Sequence, residues 1–218
     1  MLRDVLHKIF TSRNQKLKLN WFNKRAYIEN KIRDQWVELC KEFNINPIQC
    51  PLVFSDTKHL LDDANKMRAV KGISKRNEIT LSAFFVTMHV GIPVNGRMHN
   101  ELIGIICNMT NILSKFEHDF TTEEIDRKIP LLRTLIKHEI GHVIVEGSVY
   151  EGKTMTAMEL LIKEICSVES QTLSRLRGIN DDYEFAKGYY QLKRESMANE
   201  AVGISLEEIC NTYAMLNK

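Results

Sequence analysis

The sequence predicts an α+β domain, mostly helical, that carries a small antiparallel or mixed sheet and an N-terminal helical extension. Three observations predict it. Apolar residues recur at helical spacing between Trp21 and Cys40, and again from Met109 almost to the end of the chain. Between these stretches lie two runs rich in β-branched and aromatic residues, 79–90 and 102–109. The pair Asn95-Gly96 separates the runs, and its tolerance of positive φ favours a tight reversal. A chain of 218 residues, 44% of them hydrophobic, is long enough for one cored domain, placed at 51–218, with the helical extension at 1–50.

In chain order, Trp21, Phe22, Tyr27, Ile28, Ile32, Trp36, Val37 and Cys40 predict one amphipathic helix over 21–43, ending near Asn44 to Pro47. The run PLVF at 51–54 reads as a short strand. Asp56 or Thr57 can cap a helix through Met67 whose apolar positions are Leu60, Leu61 and Ala64. Runs 79–90 and 102–109 then pair antiparallel, with a connection through Asn100 longer than a simple hairpin. Thr121-x-x-Glu124 has the spacing of a capping box. Proline costs about 3 kcal/mol in a helix interior, so Pro130 predicts a break, followed by a new helix over 131–146 that Gly147 stops. Further helices are predicted over 156–177, 182–202 and 206–216, the last behind Gly203 and a second capping box, Ser205-x-x-Glu208.

The composition excludes several classes. Thirty basic residues against 28 acidic ones give no surface-wide field of one sign, so wholesale wrapping of nucleic acid is not expected. The acid-poor stretch 3–25, with Arg3, Lys8, Arg13, Lys16, Lys18, Lys24 and Arg25 against Asp4 alone, leaves local contact with nucleic acid as a minor expectation, with Trp21 and Phe22 available for stacking. Five cysteines are odd in number, widely scattered and free of C-x-x-C spacing, which predicts reduced thiols and a cytoplasmic setting. The most apolar stretch, 102–107, is far shorter than the roughly 20 residues of a membrane-spanning helix, so no membrane partner is expected. Charges interrupt MLRDVLHKIF where a secretory signal needs an apolar run.

The segment that carries chemistry is LLRTLIKHEIGHVI, with His138-Glu139-Ile140-Gly141-His142 at its centre. Four residues advance a helix by about 400°, so His138 and His142 share a face and their imidazoles can converge on one zinc ion. Glu139 sits about 100° further round, where its carboxylate can take a proton from a water polarised by the metal. Chance alone yields this pattern in on the order of 2% of shuffled chains of this composition. Helical context sharpens it. Leu132, Leu135, Ile136, Ile140 and Val143 cover most of the helix surface apart from Arg133 and Lys137, and two buried imidazoles beside a carboxylate are costly without a cation.

A catalytic zinc takes three protein ligands and leaves one position open. The extended motif of the metzincins would put glycine at Val145 and histidine at Ser148, and neither is present. Glu159 and Glu164 are conceivable third ligands. Glu195 is the better choice, because Asn199 follows it at i+4. From that face Glu195 can bind metal while the Asn199 amide oxygen accepts the free ring N–H of a ligand histidine. Ala198 is small enough to let the two helices approach closely.

The strand region, then HEIGH, then Glu195-Ser-Met-Ala-Asn199 together resemble the gluzincin metallopeptidases, in particular the ImmA/IrrE-like proteins and the HtpX-like peptidases. The resemblance spans about residues 100–203 and its specific parts are the two short motifs. It implies a zincin-like domain in which His138, His142 and Glu195 bind one catalytic zinc, Glu139 is the general base and Asn199 supports a ligand histidine. The segment between His142 and Glu195 is longer than in compact ImmA-like members, and the membrane helices of the HtpX type are missing.

The activity expected is that of a zinc-dependent peptidase acting on a protein or peptide substrate, with Glu139 delivering its proton to the leaving amine. Tyr189, Tyr190 and His89 are candidates for stabilising the oxyanion, and no one of them is singled out. An exposed sheet edge within 79–90 could hold an extended peptide by strand addition. The competing expectation is a catalytically silent zincin-fold regulatory or partner-binding protein; the intact Glu139 weighs against it, since a structural site has no use for a base.

Overall fold

The computed structural model describes residues 21–77, 79, 83–116, 121–150 and 152–218, with Trp21, Phe22 and Glu159 among those described by backbone alone. The basic positions before residue 20 and Thr80, Leu81 and Ser82 of the expected strand lie outside the described residues. Within them the fold is α+β and mostly helical, with one three-stranded mixed sheet.

Helix α1 (Trp21–Glu42) precedes strand β1 (Leu52–Ser55), a short 3-10 turn (Thr57–His59) and helix α2 (Leu60–Val70). Strands β2 (Phe85–Val94) and β3 (Arg97–Asn108) follow, then the short helix α3 (Met109–Leu113). The chain continues as α4 (Thr122–Tyr150), α5 (Met155–Leu176), α6 (Asp182–Tyr190), α7 (Lys193–Ala201) and α8 (Leu206–Asn217). The sheet order is β1-β3-β2, with β1 parallel and β2 antiparallel to the central β3. Asp56 makes no capping hydrogen bond at the 3-10 turn. Its carboxylate instead binds the Arg25 guanidinium at 2.8 Å, fastening α1 to the end of β1.

The hairpin is simpler than the sequence predicts. Asn95 and Gly96 adopt φ of 50° and 76°, so Val94 pairs directly with Arg97 and the strands run through the region expected to be loop. A bulge interrupts the ladder where Met88 opposes Gly104 and His89 opposes Leu102. Gly104 has φ of 142°, and a Cβ there would lie 2.6 Å from the Pro51 carbonyl oxygen, so only glycine lets the chain entering β1 approach β3 this closely.

One face of the sheet packs Phe85, Ile105 and Cys107 against α4 through Ile136 and Ile140. The other packs Met88, Ile103 and Ile106 against Leu60 and Ala64 of α2. Helix α1 contributes Ile28, Ile32, Trp36 and Leu39 to the same core as α4. Arg133 on α4 reinforces that pairing at the surface by donating to Gln35, Glu38 and Glu42 at 3.0, 3.1 and 2.9 Å.

Two helical expectations fail. Pro130 does not break its helix: α4 runs unbroken from Thr122 to Tyr150, past Gly147 as well. The proline ring is exposed, whereas Ile125, Ile129, Leu132, Leu135 and Ile136 are all buried. Continuous burial of that stripe outweighs the lost hydrogen bond, since each such side chain contributes about 1.5–3 kcal/mol. Conversely, the single helix expected over 182–202 is two. Leu192 adopts extended backbone (φ −56°, ψ 140°) and is buried, and this turn re-aims α7 toward α4. The capping boxes form on their hydroxyl side, with the Thr121 and Ser205 oxygens accepting from Glu124 and Glu208 amides at 3.3 and 3.1 Å.

Candidate metal centre

The centre lies where α4 crosses α7, beneath the edge strand β2. Glycine makes that crossing possible. A Cβ at Gly141 would lie 2.0 Å from the Ala198 carbonyl oxygen, so the two backbones touch at the middle of the HEIGH turn. This close approach brings residues up to 61 positions apart in the sequence into direct contact: His138, His142, Glu195 and Asn199 are all buried, with the first three at 3%, 6% and 7% exposure.

Asn199 fixes the chemistry of His138. Its Oδ1 accepts from Nδ1 at 2.8 Å, which leaves Nε2 of a neutral His138 ring as an electron pair donor. That Nε2 lies 3.0 Å from Glu195 Oε2 and 3.2 Å from His142 Nε2, and His142 Nε2 lies 3.2 Å from the same carboxylate oxygen. Three electron-rich atoms thus form a near-equilateral triangle. Tetrahedral zinc bonded at about 2.0–2.1 Å would separate its ligand atoms by about 3.3 Å, so the triangle fits such an ion closely. Burial opposes ionisation of Glu195, but its hydrogen bonds and electrostatic attraction to His138 and His142 outweigh it and hold the carboxyl well below the usual carboxylate range. A cation in the cluster, proton or metal, is what keeps this buried carboxylate charged. The group His138, His142 and Glu195 can hold a metal ion.

Glu139 stays out of the triangle. Its Oε2 accepts from both the backbone N–H of Thr87 at 2.9 Å and the Thr87 hydroxyl at 2.6 Å, so strand β2 holds the carboxylate beside the donor atoms. Residue Thr87 carried no signal in the sequence, because a threonine in a strand is unremarked until its partner is known. The part of Gly141 was equally hidden; the small side chain noticed there was Ala198.

A cavity of about 850 Å³ opens over the centre and is lined by Thr87, His138, Glu139, His142 and Glu195. All three oxyanion candidates also line it. The Tyr190 ring meets the His138 ring edge to face, 5.1 Å between centroids. Burial, followed by the negative charge of Glu195 and Glu139, pushes the Tyr189 phenol well above its ordinary range, so it keeps its proton and can donate. His89 Nδ1 lies 3.1 Å from the Asn100 amide nitrogen. Of the other ligand candidates, Glu164 is exposed and stands apart from the cluster, and the Glu159 side chain lies outside the described residues.

Arg25, one of the basic residues offered for nucleic acid, is engaged by Glu29 and Asp56 at 2.7 and 2.8 Å, and Lys24 is buried. Cys40, Cys50, Cys107 and Cys210 are free, buried thiols. Among the described residues no helix is long and apolar enough to cross a membrane. No protein-family model matches the chain, and no solved structure matches it.

Proposed function

We propose that the protein is a zinc-dependent peptidase, and the observation that supports this most is the convergence of His138, His142 and Glu195 on one point with Glu139 fastened beside it. His138, His142 and Glu195 would hold the ion, with Asn199 keeping the His138 ring oriented. When bound, zinc supplies Lewis acidity that lowers the pKa of water toward neutrality and polarises a carbonyl. Glu139 takes the proton of the attacking water and returns it to the leaving amine. Its Oε2 is occupied by two donors from Thr87, which leaves Oε1 as the oxygen available to accept the proton. Tyr189 and Tyr190, both lining the cavity with phenols that keep their protons, are the candidates to offer an O–H to the developing oxyanion.

Strand β2 lies at the edge of the sheet among the described residues and runs along the cavity. A peptide laid beside it would pass the centre in extended form. Because the Thr87 N–H is taken by Glu139, the peptide would bond to β2 on either side of that residue rather than at it.

The test is metal analysis and hydrolysis with purified protein. Wild type is expected to carry close to one zinc per chain and to cleave unfolded casein. His138→Ala and Glu195→Ala should lose the metal, whereas Glu139→Gln should keep it and cleave nothing. Metal in wild type without cleavage of casein or a peptide library would favour the silent, partner-binding alternative. Full zinc retention by Glu195→Ala refutes the ligand set.

A further inference from the structure

The cavity carries a second chemical feature, away from the metal donors. Arg68, in the last turn of α2, and Arg76, in the segment that follows, both line it. The Arg68 side chain is 93% withdrawn from solvent by the measure of its 7% exposure, yet the guanidinium has a single protein partner: Nε donates to the Ser74 carbonyl at 2.6 Å. Neither terminal nitrogen donates to a described residue, and neither Arg68 nor Arg76 forms an ion pair with one. A buried arginine is ordinarily matched by a carboxylate or several carbonyls. The third arginine of the cavity is matched in this way, since Arg194 lies 3.8 Å from Glu169.

Among the described residues neither cation has a carboxylate partner, and the local backbone keeps Arg76 close to α2. Asn65 on α2 accepts from the Arg76 amide at 2.8 Å and donates to the Arg76 carbonyl at 3.2 Å, which fixes Arg76 against the same helix that presents Arg68. Burial and the positive charge of Arg76 both lower the pKa of Arg68, so the two cations lie close enough to repel each other. Two guanidinium forks in a partly enclosed cavity suit a carboxylate, which can accept paired hydrogen bonds from one while neutralising both.

We propose that Arg68 and Arg76 form an anion subsite that receives a carboxylate of the bound peptide, either its free C-terminus or an Asp or Glu side chain. The assignment rests on the peptidase reading for the identity of the ligand, but the subsite is read by binding and does not require turnover.

The experiment uses zinc-loaded full-length Glu139→Gln protein and three N-acetylated decapeptides of one glycine-alanine-serine sequence. The first is neutral with a carboxamide end, the second ends in a free carboxylate, and the third has one central glutamate and a carboxamide end. Calorimetry is expected to show one charged peptide binding about tenfold more tightly than the neutral one, and which of the two it is tells whether the carboxylate is terminal or internal. Adding Arg68→Gln or Arg76→Gln should make the three peptides bind alike at unchanged zinc content. Arg76 is exposed, so its variant decides the matter if Arg68→Gln does not fold. Equal or unmeasurable binding of all three by the parent protein, or a charge preference that survives either folded arginine variant, overturns the subsite. Mass spectrometry of the same peptides with wild type separates the two readings: charge preference without cleavage removes the peptidase and keeps the subsite, and cleavage without preference does the reverse.

Discussion

Replacing Gly141 with alanine is a direct probe of the helix crossing that assembles the centre. The added Cβ would fall 2.0 Å from the Ala198 carbonyl oxygen, 2.6 Å from its carbon and 2.9 Å from its Cα, all of them backbone atoms that no rotamer change can move. Real Cβ contacts stay beyond about 3.0 Å, so α4 and α7 must part by about 1 Å. Alanine improves helix propensity by about 1 kcal/mol, whereas overpacking typically costs about 1–3 kcal/mol, so the net loss of stability is modest, about 0–2 kcal/mol. The effect on metal is larger. Ligand distances tolerate about 0.2 Å, and α7 carries Glu195 and Asn199 while α4 carries both histidines, so the separation opens the triangle itself. Zinc affinity, measured by competition with a fluorescent chelator, is expected to fall at least about 100-fold while circular dichroism retains the helical signal. Gly178→Ala is the control, because its Cβ would meet open space. Unchanged zinc affinity in Gly141→Ala would show that the two helices do not meet as described.

Three further outcomes are expected. Asn199→Ala removes the acceptor that orients His138 and should weaken zinc binding about 10–100-fold, measured with the same chelator; wild-type affinity would deny Asn199 its orienting part. Thr87→Val deletes the hydroxyl bond to Glu139 and should reduce casein hydrolysis about tenfold or more at unchanged zinc content, with Thr87→Ser restoring it; equal loss in both variants would point to strand packing instead. Burial pushes the thiols of Cys40 and Cys50 up to about 11 and about 12, so both stay protonated at pH 8 and should resist iodoacetamide until the pH approaches those values or denaturant is added; rapid labelling of native protein, mapped by mass spectrometry, would contradict this.

The parts legible in the sequence are those that helix geometry sets locally. His138 and His142 at i and i+4 need only a helix to share a face, and Glu195 with Asn199 repeats the same spacing on α7. The hairpin was legible because Asn95-Gly96 specifies a backbone conformation that few other pairs accept. What stayed hidden depends on partners distant in sequence. Pro130 reads as a breaker until the buried stripe on both sides of it is known. Leu192 ends one helix and begins another with no proline nearby and with the nearest glycine, Gly188, still inside the preceding helix, because its burial, not its propensity, selects the extended conformation. Arg68 and Arg76 read as ordinary surface cations until the fold puts them in the cavity that also holds the metal donors.

The centre therefore draws its parts from two independent supports. The crossing of α4 and α7 determines whether three donor atoms meet, and it depends on Gly141 and on the turn at Leu192 that aims α7. The edge of the sheet determines where the Glu139 carboxylate stands, through the two Thr87 bonds to its Oε2. Glu139 and His138 are neighbours in sequence, so a displacement of α4 would move both, but a change in β2 would move only the carboxylate. Lesions at the crossing should consequently remove metal and hydrolysis together, while lesions in β2 should remove hydrolysis and spare the metal. If the proposed peptidase reading holds, a peptide that adds to β2 would touch the very strand that orients Glu139, and substrate docking and alignment of the base would share one structural element.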